Sequence, residues 1–161
     1  MPELRLRLNA SLAAGLSCIA LVAVAAAGCG PGGGGTLTTF AITFSLSATP
    51  SPLDSLSFEV AYSGGGDFDG QGAAVECRRM SGAVGATSTF EDDDIQTLAV
   101  DLTAGDTAMD AVHEIVRCLF TAEAEPTTGN FTVTVSEALD EDGNEVKTQT
   151  QVLVTSIVED G

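Results

Sequence analysis

The chain has 161 residues, of which six are Lys or Arg and 23 are Asp or Glu, so its formal charge at pH 7 is −17. This charge disfavours binding to nucleic acid, which needs a basic surface, and adsorption to anionic lipid headgroups. With 44% hydrophobic residues, seven Phe and one Tyr, the chain is too apolar for a disordered acidic tail, and its length suits one domain. A single His and few basic residues leave little material for a catalytic centre.

Residues 1–28 have the pattern of a secretory signal peptide. Arg5 and Arg7 provide a positive start, residues 12–27 are almost wholly apolar, and small residues close the run. A transmembrane anchor is the alternative, because an apolar run of this length is about long enough to span a bilayer. The Ala-rich composition of the run and the Gly-rich stretch after it favour the signal peptide.

The end of this run, Ala26-Ala27-Gly28-Cys29, resembles the bacterial lipobox, in which cleavage precedes a cysteine that carries diacylglycerol on its sulfur. Cys29 is therefore the predicted lipidation site, although most lipoboxes have Leu where this chain has Ala26. A disulfide partner or an incidental thiol is the alternative. Residues 29–35 are predicted to form the lipidated cysteine and a flexible Gly-rich tether. We expect an exported protein that is lipid-anchored to the bacterial cell envelope, at the outer membrane because no Asp follows the cysteine.

From residue 36 onwards the apolar residues recur with a period of two, which is typical of half-buried β-strands. Alternating sets occur within residues 40–46, 56–62, 73–77, 98–102, 112–120, 131–135 and 146–158. Turns rich in Gly, Pro and Asp separate these sets. Residues 36–161 are therefore predicted to form one all-β domain, an antiparallel β-sandwich. A helix is the rival interpretation for residues 111–119.

Cys77 and Cys118 are the two cysteines of the predicted mature domain, and both lie in alternating apolar sets. In an exported protein an even pair usually forms a disulfide. Two separate buried thiols are the alternative. We expect the disulfide, whose loop of about 40 residues corresponds to a stabilisation of roughly 4 kcal/mol.

Several segments of the chain resemble cohesin-type domains. They are FAITF (40–44), LDSLSFEVAY (53–62), VEC (75–77), HEIVRCLF (113–120) and FTVTVSEALDEDG (131–143). The resemblance spans about residues 36–158 and implies a jelly-roll-like β-sandwich related to carbohydrate-binding modules. It also implies binding of dockerin modules, or surface scaffolding for polysaccharide degradation. This chain departs from the scaffold proteins in having one module, its own anchor and a predicted disulfide. Cohesins bind through a sheet face with no short motif, so the resemblance identifies no partner-binding residue here.

Acidic segments suggest calcium, but the best of them lacks the spacing of a known calcium loop. An EF-hand loop that began at residue 140 would need Gly at its sixth position and Glu at its twelfth, whereas Gly143 is fourth and Gln151 is twelfth. We interpret three segments as acidic turns, namely residues 67–70, 91–94 and 140–144. A calcium site formed between loops is the alternative.

Enzymatic chemistry is not expected. A glycosidase needs two acids about 5–10 Å apart, and in a chain with this many carboxylates some pair is that close by chance. His113 begins a predicted strand without a companion nucleophile or metal ligand, so it is interpreted as a surface residue. Asn130 begins a glycosylation sequon that is accidental in a bacterial lipoprotein. No catalytic residue, resident metal or cofactor is predicted.

The sequence therefore predicts a binding or scaffolding module that docks a protein partner on a sheet face, and the cohesin resemblance implies a partner of dockerin type. A carbohydrate-binding module that takes a polysaccharide is one alternative, and an envelope spacer without a ligand is another. Sugar platforms usually need exposed Trp or Tyr. The chain has no Trp, and its one Tyr, Tyr62, is in phase with the core residues Phe58 and Val60. A protein partner is therefore preferred.

Overall fold

The chain forms nine β-strands in the residues that the computed structural model describes, which are 35–80, 85–93 and 96–161. The strands are β1 (Thr38–Ala48), β2 (Leu53–Tyr62), β3 (Asp67–Phe68), β4 (Cys77–Arg79), β5 (Thr87–Asp93), β6 (Thr97–Thr103), β7 (His113–Ala122), β8 (Phe131–Asp140) and β9 (Gln151–Glu159). Short 3-10 turns at Thr128–Asn130 and Lys147–Gln149 precede β8 and β9.

The strands pair into two antiparallel sheets. The first sheet has the order β3-β7-β1-β9, with β4 also paired to β7, and the second has the order β5-β6-β2-β8. The inward side chains of β1 and β2 are buried: Phe40, Ile42, Phe44, Leu46, Leu56, Phe58, Val60 and Tyr62. The predicted all-β antiparallel sandwich is confirmed. For residues 111–119 the strand prediction is confirmed over the helix, since β7 covers all but the first two of them.

Four aromatic rings form a cluster at one end of the core. The rings of Tyr62, Phe68, Phe120 and Phe131 lie with centroids between 5.1 and 6.2 Å apart, most of them edge to face. Tyr62 is 5% exposed, so its predicted place in the core is confirmed. The buried residues of the core cluster lie between Phe40 and Val152 in the chain, and the described residues from Gly35 onwards belong to one compact unit.

The interpretation of residues 91–94 as an acidic turn is wrong for the part that the structure describes. Residues 91–93 lie in β5, the edge strand of the second sheet, while Asp94 is outside the described residues. Asp92 faces inward and is 5% exposed. Its carboxylate lies 3.2 Å from the Tyr62 hydroxyl. A buried carboxylate needs such a donor, and this one comes from a strand 30 residues away along the chain.

Residues 67–70 are only partly a turn. Asp67–Phe68 forms β3, which pairs with β7 opposite Phe120 and Thr121. In this segment the period-two pattern is too short to detect, since Phe68 is the only apolar residue among glycines and aspartates.

The acidic turn at residues 140–144 is confirmed, because the Gly143 N–H donates to the Asp140 carbonyl at 2.9 Å.

Two predicted strand boundaries are wrong. The final strand begins at Gln151, because Lys147–Gln149 makes a 3-10 turn after Val146. The Glu145 carboxylate stabilises that turn by accepting the Lys147 N–H at 3.0 Å. Within the predicted set 73–77, only Cys77 lies in a strand, β4. The residues before it make turn hydrogen bonds, from the Ala74 N–H to the Gln71 carbonyl and from the Val75 N–H to the Gly72 carbonyl.

Val112 is also misplaced by the sequence pattern, which puts it on one face with Val116. It lies before β7 with a φ of 65° and is 83% exposed. Its N–H donates to the Leu46 carbonyl at 2.6 Å, at the end of the β1–β7 ladder. The left-handed backbone conformation is uncommon for a β-branched residue, which is why periodicity did not indicate it.

The Tyr62 hydroxyl is expected to stay protonated throughout the alkaline range in which the domain is folded. Burial raises its pKa above the ordinary value, and a hydrogen bond to Asp67 at 2.6 Å and the charge of Asp92 raise it further. A tyrosine whose pKa is raised on folding supplies stability below about pH 10, the unfolded value, and loses it as the pH rises. Because Tyr62 is the only Tyr, phenolate absorbance in an alkaline titration reports on it alone. We expect that absorbance to appear together with the loss of β-structure, and appearance near pH 10 in the folded domain would contradict the buried hydrogen bond.

Candidate functional site

The structure describes two of the three predicted site residues, Cys77 and Cys118, and does not describe Cys29. Cys77 and Cys118 lie opposite each other in β4 and β7 and are joined by a disulfide, as predicted. Cys29, the signal peptide and nearly all of the tether lie outside the described residues. Among the residues that the structure describes, none forms a helix with the length and apolar character needed to cross a membrane.

Two of the polar side chains considered as possible ligands, His113 and Asp140, are hydrogen-bonded within the fold. His113 is exposed at the start of β7, with Nδ1 2.9 Å from the Ala111 carbonyl oxygen. The Asp140 carboxylate accepts hydrogen bonds from Asn144 and from the Asp142 N–H. These bonds, the Asn144 backbone N–H first, lower the pKa of Asp140 below its usual value. In the described ranges no group of three or more His, Cys, Asp or Glu is arranged to hold a metal ion.

The outer faces of the two sheets differ in the placement of exposed large apolar side chains. The described part of the chain has five such side chains: Leu37, Met80, Val112, Leu153 and Val158. Each lies within, or directly next to, a strand of the first sheet. Leu153 and Val158 lie in β9, where they are 44% and 57% exposed. The register of β9 with β1 places these two side chains on the outer face, and exposed apolar side chains on one face are typical of interaction sites.

The middle of this outer face is a shallow groove, because the outward side chains of β1 are small. Ala41 pairs with Leu119 on one side and Val158 on the other, and Ser45 pairs with Leu153. Paired residues of antiparallel strands point to the same face. Ala41 and Ser45 are only 2% and 7% exposed, so they form a floor below the larger neighbouring side chains. We call this surface the β1 groove.

Two pairs of hydroxyl groups at the β1 groove are hydrogen-bonded within the sheet. Ser45 Oγ lies 2.7 Å from Thr155 Oγ1, and Thr39 Oγ1 lies 3.0 Å from Thr121 Oγ1. The Thr121 hydroxyl in turn donates to Asp69 at 2.6 Å. Since these polar atoms already have partners, a molecule that covers the groove can bury them without an unsatisfied donor or acceptor.

Two arginines lie at the β7 side of the groove. Arg78 of β4 is directly opposite Arg117 of β7, and Arg117 also pairs with Thr43 of the groove floor. Arg117 makes an ion pair with Asp160 at 2.8 Å. An open cleft of about 420 Å³ lies here, and its lining residues are Glu76, Cys77, Arg78, Arg117, Leu119 and Asp160.

The outer face of the second sheet has the opposite character. The paired strands present five exposed carboxylates on that face: Glu59, Glu91, Asp93, Asp101 and Glu137. Small and hydroxyl side chains such as Ala99 and Thr134 lie between them. This surface resembles a solubilising face, which leaves the β1 groove and the arginine cleft as the candidate site.

Sequence analysis did not identify the residues of this site, although one signal was present. In residues 152–154 and 157–158 apolar side chains occupy consecutive positions rather than every second one. A strand with apolar residues on both faces has both faces covered or has one available to a partner. No local sequence pattern predicts that Arg78 and Arg117 lie opposite each other. The two residues are 39 positions apart in the chain, and the register of β4 with β7 brings them together.

Comparison with known proteins does not assign the site. Neither a scan against protein-family models nor a search of curated protein sequences returns a match for this chain. The function therefore has to be inferred from the geometry of the site itself.

Proposed function

We propose that this chain is an exported, lipid-anchored binding module that docks a protein partner on the outer face of its first sheet. One observation carries the proposal: in the described part of the chain, the five exposed large apolar side chains all lie in that sheet or directly next to its strands. Interfaces between proteins combine an apolar centre with Arg, and charged residues other than Arg are depleted there. The β1 groove and the neighbouring Arg78 and Arg117 provide both features.

The aromatic residues favour a protein partner over a polysaccharide. Six of the seven Phe and the one Tyr are buried, and Phe90 is half-buried. A sugar platform needs rings that are open to solvent. The hydroxyls of the β1 groove are bonded to one another, so they offer few free hydrogen-bonding positions for sugar hydroxyls. A partner of dockerin type, expected from the cohesin resemblance, agrees with docking on a sheet face.

The proposed role is scaffolding rather than catalysis. Three of the carboxylates are used in structural hydrogen bonds: Asp67 accepts from Tyr62, Asp69 accepts from Thr121, and Asp140 accepts from Asn144. In this proposal Cys29 carries the lipid, and the Gly-rich residues after it connect the domain to the cell envelope. A scaffold in polysaccharide processing at the outer membrane fits this combination.

Capture from native membranes tests the proposal. The immobilised domain, residues 36–161, is expected to retain a protein partner, and the Val158→Asp variant to retain it about tenfold less strongly, because a buried anchor at an interface is worth more than 1 kcal/mol. Thr134→Asp on the second sheet is the matched control, since Thr134 is also exposed on an outer face of an edge strand. We expect this control to bind like the unchanged domain.

Other results of the capture experiment would support one of the alternative functions or a different docking surface. Retention of glycans without protein would support the carbohydrate-binding alternative. Retention of neither, from membranes that contain the native protein, would support the envelope spacer. Equal loss of the partner in both variants would place the docking surface elsewhere.

A further inference from the structure

The opposition of Arg78 and Arg117 is unexpected in so acidic a domain. Without Glu3, Arg5 and Arg7 of the predicted signal peptide, the chain retains four basic and 22 acidic residues. Two of the four basic residues face each other across a single rung of the β4–β7 ladder. Like charges directly opposite each other destabilise a sheet, so an arrangement of this kind calls for an anion between or beside the two guanidinium groups.

Among the described residues, the carboxylate of Asp160 makes the ion pair at this cleft, while Glu76 lines the cleft without an ion pair. Asp160 is 2.8 Å from Arg117, and the side chains of the pair are 43% and 32% exposed. The Asp160 N–H donates to the Thr39 carbonyl at 2.9 Å, which holds Asp160 beside the start of β1. Within the described part of the chain, Arg78 makes no ion pair, and its side chain is exposed. The cleft therefore has capacity for a second carboxylate.

We propose that the Arg78–Arg117 cleft is a carboxylate site that receives an acidic side chain of the docked protein partner, with Asp160 as the resident group that this side chain displaces or joins. The inference rests on the proposed function, because it specifies the chemistry of the partner that occupies the β1 groove. A guanidinium pair can accept a carboxylate through charge-assisted, bidentate hydrogen bonds.

The lining of the cleft limits the class of anion. Leu119 supplies an apolar wall, and it pairs with Ala41, which pairs in turn with the exposed Val158. An acid that enters the cleft is therefore flanked by positions that suit apolar neighbours. Glu76 and Asp160 also line the cleft, and their negative charges disfavour a dianion such as phosphate. A single aspartate or glutamate between apolar residues of a peptide fits both conditions.

Peptide titration followed by NMR of the arginine side chains tests this site. The probes are N-acetyl-Leu-Asp-Leu-amide and the same peptide with Asn in place of Asp, added to domain 36–161. We expect a saturable shift of the Nε–Hε signals of Arg78 and Arg117 with the Asp peptide and a much smaller one with the Asn peptide. Arg79 is the internal control, because its guanidinium donates to the Thr87 and Thr103 carbonyls and lies outside the cleft lining. The Asp160→Asn variant is expected to bind the Asp peptide about two- to fivefold more tightly, as removal of an exposed competing ion pair implies.

Equal shifts with the two peptides, or an Asp160→Asn variant that binds the Asp peptide no more tightly, would overturn the carboxylate site. Failure of the carboxylate site can be distinguished from failure of the proposed docking function. If Val158→Asp abolishes partner capture while the peptides leave Arg78 unchanged, docking stands and the carboxylate site does not. If the Asp peptide binds but membranes yield no protein partner, the site stands and its assignment to a docked protein fails.

Discussion

Replacement of both Cys77 and Cys118 by alanine is expected to lower the free energy of unfolding of domain 36–161 by about 4 kcal/mol. The disulfide joins residues that are 41 positions apart, and loss of the bond frees that loop in the unfolded chain. The folded state is affected as well. β4 has three residues and, among the described strands, pairs with β7 alone, so the bond adds a covalent link to a short ladder and also holds one wall of the arginine cleft.

Urea unfolding with and without a phosphine reductant measures the effect. The domain is expected to unfold at a lower urea concentration when reduced, and the variant without cysteines to unfold there under both conditions. The cysteine-free variant is thus the control for other effects of the reductant. A midpoint that the reductant leaves unchanged in the unaltered domain would contradict the stabilising role of the disulfide.

Phe68→Ala is expected to cost about 3–5 kcal/mol, the range for large aromatic residues removed from a core. Phe68 is 2% exposed although it belongs to a strand of two residues. Its ring lies 5.1 Å from the rings of Tyr62 and Phe120, centroid to centroid, and 6.2 Å from that of Phe131. Its removal leaves a cavity at the centre of the aromatic cluster.

Phe90→Ala is the matched comparison for this change. Phe90 lies in the edge strand β5 and is only half-buried against the core, so the surrounding solvent and side chains can fill the space. We expect its cost to be less than half that of Phe68→Ala, with both measured by urea unfolding. Similar costs for the two substitutions would mean that the ring cluster does not stabilise the fold more than the edge of the sandwich does.

The fold class could be predicted from sequence because the central strands alternate strictly. In β1, Phe40, Ile42, Phe44 and Leu46 all face the core, as their period of two indicates. The disulfide could be predicted as well, because the sequence predicts export, and two cysteines in apolar segments of an exported domain usually pair.

The edge elements could not be predicted, because tertiary contacts decide them. Asp92 looks like a turn residue in isolation, yet the Tyr62 hydroxyl makes its burial possible. Phe68 lies among glycines, and only the facing rings make it a core residue. Val146 continues the alternation of β9 in sequence, but the Lys147–Gln149 turn separates it from that strand.

The candidate site was less accessible to sequence analysis than the fold. Leu153 and Val158 are ordinary strand residues until the structure shows that their neighbours on β1 are small and lie deeper. Arg78 and Arg117 are isolated cations in the sequence, and the β4–β7 register brings them together. A sheet-face site is distributed over several strands, so no local motif marks it.

Site-specific photo-cross-linking in the envelope tests the central claim most directly. A photoreactive residue is placed at position 158 on the first sheet, or at position 134 on the second, in the 161-residue chain expressed with its predicted signal peptide and Cys29. We expect a discrete protein adduct from position 158, with none from position 134. Adducts from position 134 alone, or equal adducts from both positions, would contradict docking on the outer face of the first sheet.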